Sequence, residues 1–135
     1  SNGIRDMLSS YNGLVDVGQK YASLHGSSKL LNEVSSIGGY FTDSFAEMGI
    51  IKDDRGHFQL NSEQLTTAIN GEDARKHFNT LNQFKDNLSH EANRIAIDPM
   101  RYINKVIVEY KNPGKTFVAP YAPSAYAGML IDQAL

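Results

Sequence analysis

Apolar residues recur on two different periods along this chain, and the change of period marks out its elements. Residues 4–24 carry Ile4, Leu8, Tyr11, Val15 and Ala22 at spacings close to helical, and Met7, Leu14, Tyr21 and Leu24 widen the stripe. Gly13 and Gly18 lie inside it and each weakens a helix by about 1 kcal/mol relative to Ala, so this helix depends on packing against a neighbour. His25-Gly26-Ser27-Ser28 reads as a break, with Gly closing one helix and a Ser capping the next. Residues 29–48 place Leu30, Val34, Ile37, Phe41, Phe45 and Met48 three and four apart, which makes one apolar seam. Gly38-Gly39 interrupts that seam and permits a kink or a close approach by another helix.

The period then shortens to two. Gly49 suits the left-handed residue just past a helix end, and Ile50-Ile51 begins a strand. Asp53-Asp54-Arg55-Gly56 has turn chemistry, and Phe58 and Leu60 alternate with His57 and Gln59 as a half-buried strand does. Asn61 is placed to cap a helix over 62–70, with Gln64 at the capping-box position and Leu65, Ala68 and Ile69 facing inward.

Asn70-Gly71 allows a turn, and a longer helix is expected over 72–97, with Glu72 and Asp73 at its favourable N-terminal end. Its apolar face is read as Phe78, Leu81, Phe84, Leu88, Ala92 and Ile95, opposite Lys76, Asn79, Asn82, Lys85, Asp86 and Asn93. Phe41, Phe45, Phe78 and Phe84 are thereby assigned to the core. Asp98-Pro99 reads as an N-cap followed by Pro at the first helical position. Residues 100–111 fit two readings: Tyr102, Ile103, Val106, Ile107 and Tyr110 suit a helix, which we favour, whereas 105–110 are β-branched enough for a strand.

Asn112-Pro113-Gly114 ends that segment. Pro113, Pro120 and Pro123, with Phe117 and Tyr121 between them, describe an extended arm, and residues 124–135 suit a short terminal helix presenting Tyr126, Met129, Leu130 and Ala134. The expected fold is mainly α: a helical bundle over 1–111 with one short β-hairpin at about 50–60, then an extended, Pro-containing arm over 112–135. Phe117 and Tyr121 are expected to anchor the arm, and Tyr126, Met129 and Leu130 to meet a protein partner or a second copy.

Composition narrows the chemistry. A chain of 135 residues is long enough for one domain with a core. A net charge of −2 offers no field to attract nucleic acid or an anionic membrane. No run reaches the roughly 18 apolar residues that span a bilayer, and no signal peptide is visible. There is no Cys, hence no disulfide, thiolate nucleophile or Cys-based zinc site. Ser1-Asn2 resembles the scar of a removed tag, and with no Met opening Gly3-Ile4 the chain is expected to be a domain excised from a longer parent.

Asp53, Asp54 and His57 invite a metal reading. Setting Gly56 at position six of an EF-hand, however, puts Ile51 at position one and Ser62 at position twelve, so a turn is the better account. His25, His57, His77 and His90 form no His-x-x-x-His pair and are read as surface or boundary residues. No Gly-x-Ser-x-Gly elbow or phosphate loop occurs. The residues point to no enzyme and no cofactor.

Two stretches carry a family resemblance. Tyr11-Asn12-Gly13-Leu14-Val15-Asp16, with Tyr21, resembles the Tyr-Asn-x-Leu-Val helix in the C-terminal half of the flagellar filament-capping protein, hook-associated protein 2. Met48-Gly49-Ile50, Asp54, Gly56, Phe58, Leu60-Asn61, Glu63, Leu65 and Ala68 resemble that family's Leu-Gly-Ile, Asp-x-x-Gly-x-Leu-x-Leu-Asp, Lys-Leu-x-x-Ala-Leu run, in the same order. The resemblance spans about residues 4–84. Cap proteins continue into a long coiled coil, where this chain has Asp98-Pro99 and the Pro-rich arm instead. The resemblance implies a flagellum-associated structural or assembly protein that acts by helix packing and self-association, without cofactor or enzymatic activity, outside the bacterial cell on the flagellum. The alternative is a small, cytoplasmic adaptor or chaperone-like module that holds a protein partner with its C-terminal arm.

Overall fold

In the computed structural model, residues 2–103 are described. Helix α1 runs Asn2–His25 and α2 runs Lys29–Ala46. Strands β1 (Ile50–Lys52) and β2 (Phe58–Leu60) follow, then α3 (Ser62–Ile69), α4 (Ala74–Ile97) and a 3-10 turn over Pro99–Tyr102. The expected mainly helical fold with one hairpin is present, with bounds close to those read from the residue pattern.

Contacts fix the directions of the helices. The Tyr11 hydroxyl donates to the Val34 carbonyl, 3.3 Å away, and Gly18 abuts Leu31, so α1 and α2 run antiparallel. Phe84 meets Phe41 and Phe45, Arg94 reaches Glu33 and Lys76 reaches Glu47, so α2 and α4 are antiparallel too. The small α3 packs on α4, and the 3-10 turn packs on the other end of α4.

The two glycines of α2 divide the roles that the sequence left open. Helix α2 is continuous, and a Cβ on Gly38 would come 2.0 Å from the Tyr11 hydroxyl, so Gly38 serves a close approach. Gly39 faces open space. Around this contact Tyr11, Phe41, Phe45, Phe58 and Phe84 form one aromatic cluster with centroids 4.8–6.2 Å apart in tilted, edge-on and stacked pairs. Such geometries suit the ring quadrupoles.

The hairpin pairs Ile50 with Leu60, Ile51 with Gln59 and Lys52 with Phe58. Asp53 Oδ1 accepts the Arg55 and His57 amides at 2.9 and 3.0 Å, and Gly56 completes the turn at φ +79°. Gly49 takes the same φ where α2 hands over to β1. Asn61 caps α3 as expected, its Oδ1 accepting the Gln64 amide at 3.2 Å. Ser28, Asp73 and Asp98 occupy N-cap positions without a side-chain capping bond.

Three expectations are corrected. Phe78 is 47 % exposed, and the inward position is its neighbour His77, at 7 %. Leu24 is exposed at the end of α1. The buried seam of α4 steps His77, Leu81, Phe84, Leu88, Glu91, Ile95 by alternating fours and threes, and each residue turns the helix by about 100°. That seam selects 77 over 78 and holds two polar residues. The third correction concerns 100–111: its described start is a 3-10 turn, and Ile103 is extended at φ −105°, ψ 127°. The remainder of that segment and the arm over 112–135 lie outside the described residues.

Candidate functional site

The two stretches that carry the resemblance meet in space. Asn12 of α1 takes both backbone groups of Phe58 in β2: its Nδ2 donates to the carbonyl at 3.1 Å and its Oδ1 accepts the amide at 2.8 Å. Tyr11 places its ring 5.0 Å from that of Phe58. One turn on, Asp16 Oδ1 is 2.6 Å from His57 Nε2, and Gln19 Nε2 donates to the Arg55 carbonyl at 3.2 Å. At the other end Arg5 donates to the Ser62 hydroxyl. Helix α1 thus clasps the segment from the hairpin turn to the start of α3, running in the opposite direction. His57 therefore belongs to this clasp. Among the described residues, no three His, Cys, Asp or Glu gather as a metal would need.

Burial pushes the Tyr11 phenol up to about 12, against a smaller pull from a backbone hydrogen bond at Gly38. This tyrosine stays neutral and acts as an interlocking donor between helices.

The interaction residues expected from sequence, Phe117, Tyr121, Tyr126, Met129 and Leu130, lie outside the described residues. Within them, the apolar surface that reaches solvent is Tyr40 on α2, Phe78 and Ile97 on α4, Ile51 on β1 and Leu24 on α1. Tyr40 borders a shallow groove between α2 and α4 whose walls include Ile37, Gln83, Asn87 and His90. Among the described residues, no helix is long and apolar enough to cross a membrane.

A second polar assembly sits where the 3-10 turn joins the helix pair. The Tyr102 hydroxyl lies 2.8 Å from Glu33 Oε1 on α2 and 3.3 Å from Glu91 Oε1 on α4. Arg101 and Arg94 reach the Glu33 carboxylate at 3.2 and 3.4 Å. Burial pushes Glu91 up to about 7, reinforced by the hydrogen bond and the charge of Glu33. Burial also raises Glu33, but hydrogen bonds with Glu91, Tyr102 and Arg101 outweigh it and hold that carboxyl below its usual range. The Tyr102 phenol is raised by burial and by both carboxyl groups.

Sequence reasoning missed this assembly and the role of Asn12. Glu33 and Glu91 lie far apart in the chain. The signal that was present is Glu91 at an inward step of the α4 seam, where a carboxyl demands a partner.

No protein-family model matches the chain, nor does any curated protein or solved structure.

Proposed function

We propose that this chain is a flagellum-associated structural or assembly protein, similar over about residues 4–84 to the C-terminal part of the filament cap, and that it acts by helix packing and self-association. One observation carries the reading. The helix motif at Tyr11-Asn12 and the hairpin motif at Gly56 to Asn61 are two sides of a single contact, closed by the paired Asn12–Phe58 hydrogen bonds. Two separate stretches that resemble one family and also touch make a more specific combination than either stretch alone. The exposed Tyr40, Phe78 and Ile97 supply apolar helix surface for association.

The test has two parts. Light scattering of the full chain over a range of concentrations is expected to show self-association that survives removal of 112–135. Co-sedimentation with flagellin filaments from the same source is expected to carry the chain into the pellet. A monomer that remains in the supernatant overturns the reading. Association that disappears with 112–135 points instead to a partner-holding adaptor.

A further inference from the structure

The groove between α2 and α4 is bounded at both ends by ion pairs, Glu33 with Arg94 and Glu47 with Lys76. Glu33, Tyr40 and Glu47 stand seven apart on α2, and Lys76, Gln83 and His90 stand seven apart on α4, so each set follows one stripe of its helix. From Glu33 to Glu47 the stripe is about 21 Å long, at a rise of about 1.5 Å per residue. Between the two pairs Tyr40 is 77 % exposed, one turn from the half-buried Ile37. The 3-10 turn delivers the chain to the Glu33 end of this groove. Arg101 reaches Glu33 at 3.2 Å, and the Tyr102 hydroxyl reaches back to Glu91, so the turn has reversed the chain along α4. Ile103 then leaves the turn in an extended conformation. The next break is Asn112-Pro113-Gly114. Residues 104–110 before it span about 23 Å at about 3.3 Å each when extended, which matches the length of the groove.

We propose that residues 104–110 of this same chain lie in extended form along the α2/α4 groove, with Val106, Val108 and Tyr110 against Ile37 and Tyr40. The stretch is β-branched, and alternate positions of an extended chain share a face. The opposite register would turn Lys105 and Glu109 onto those apolar side chains. An extended segment without a paired strand needs partners for its peptide groups, and Gln83, Asn87 and His90 line the α4 wall with donors and acceptors. Asn12 serves the backbone of Phe58 in the same manner elsewhere in the fold. A second copy is the rival occupant, but residues 104–110 start beside the groove, and the tether gives them an effective concentration that a separate copy must exceed. Tyr40 then meets this segment first and another copy only when the segment is lifted, while Phe78 and Ile97 stay open.

This inference is independent of the flagellar reading and is tested separately, on the full chain. The chain has no Cys, so Glu109→Cys allows a single spin label on the face turned away from the groove. In isotopically labelled protein that carries the spin label, the amide resonances of 36–41 and 83–90 are expected to broaden more than those of 16–24, near the far end of α1. Groove resonances no more broadened than those of 16–24 overturn the proposal. The same protein diluted into an excess of unlabelled chain separates the two occupants: broadening is expected to persist, and its loss assigns the groove to a second copy and overturns the proposal. Two variants test the register. Adding Val108→Asp to the labelled protein is expected to abolish the broadening, and adding Ile107→Asp is expected to leave it. The reverse pattern, or no effect of Val108→Asp, overturns the proposed face. The labelled protein without either variant already decides occupancy, since Glu109→Cys changes only an outward position.

Discussion

The two ends of the α2/α4 seam are built from the same helices and opposite chemistry. At one end Phe41 and Phe45 close on Phe84, with Tyr11 and Phe58 completing a dry cluster. At the other end Glu33 and Glu91 close on Tyr102, flanked by two arginines. The difference is one of conditionality. The aromatic end depends on shape and apolar area, which pH does not alter. The carboxyl end depends on where one proton sits. A helix pair joined in both ways is insensitive to pH at its hairpin end and sensitive to it at the other.

The largest test strikes the dry end. Phe84→Ala removes the ring that touches four others and is expected to cost about 3–5 kcal/mol of stability in denaturant unfolding. A loss below about 1 kcal/mol would mean that the cluster is not the anchor.

Next comes pH at the wet end. Glu91 has a folded value of about 7, above its unfolded value, so the folded state binds the proton more tightly. Its contribution is complete below the unfolded value and is lost as pH rises through about 7. The loss is bounded at roughly 3 kcal/mol, because each tenfold preference of the folded state for the proton corresponds to about 1.4 kcal/mol. Glu33 is held low and works in the opposite sense: its contribution is present above its unfolded value and is lost as pH falls through its lowered folded value. Chemical melts across the two ranges are therefore expected to peak in mild acid for the wild type. The decline towards neutral pH is expected to disappear in Glu91→Gln, while Phe84→Ala lowers the whole curve without changing its shape.

A smaller effect separates hairpin from seam. Asn12→Ala leaves the amide and carbonyl of the buried Phe58 without their partner and is expected to cost about 1–3 kcal/mol, with increased exchange confined to 50–60. Uniform loss of protection would show that the hairpin and the helices are a single cooperative unit. The smallest is a control. Lys76→Gln removes the 3.7 Å pair with Glu47, both partners more than half exposed, and is expected to change stability by less than about 0.5 kcal/mol.

Much of the dry end was legible in the sequence. Leu30, Val34, Phe41 and Phe45 repeat at helical spacing, and Gly49, Gly56 and Asn61 are residues whose chemistry names a specific backbone position. The wet end was not. Hydrophobicity cannot assign an inward place to His77 or Glu91, so it took Phe78 for the seam. Buried Glu91 faces Glu33 and Tyr102, which no local spacing brings together. The pairing of Asn12 with Phe58 was hidden in the same way, since a single amide in a helix gives no sign that a backbone 46 positions away is its partner.

That amide has a further consequence for the two-stranded ribbon. The outer edge of a strand is ordinarily a template onto which another strand can add. Asn12 presents one acceptor and one donor to Phe58, as a neighbouring peptide group would, and so occupies the free edge of β2 where that strand begins. A second copy seeking to extend the sheet there would first have to expel it. At Phe58 the ribbon is thus closed on the β2 side by the protein's own first helix.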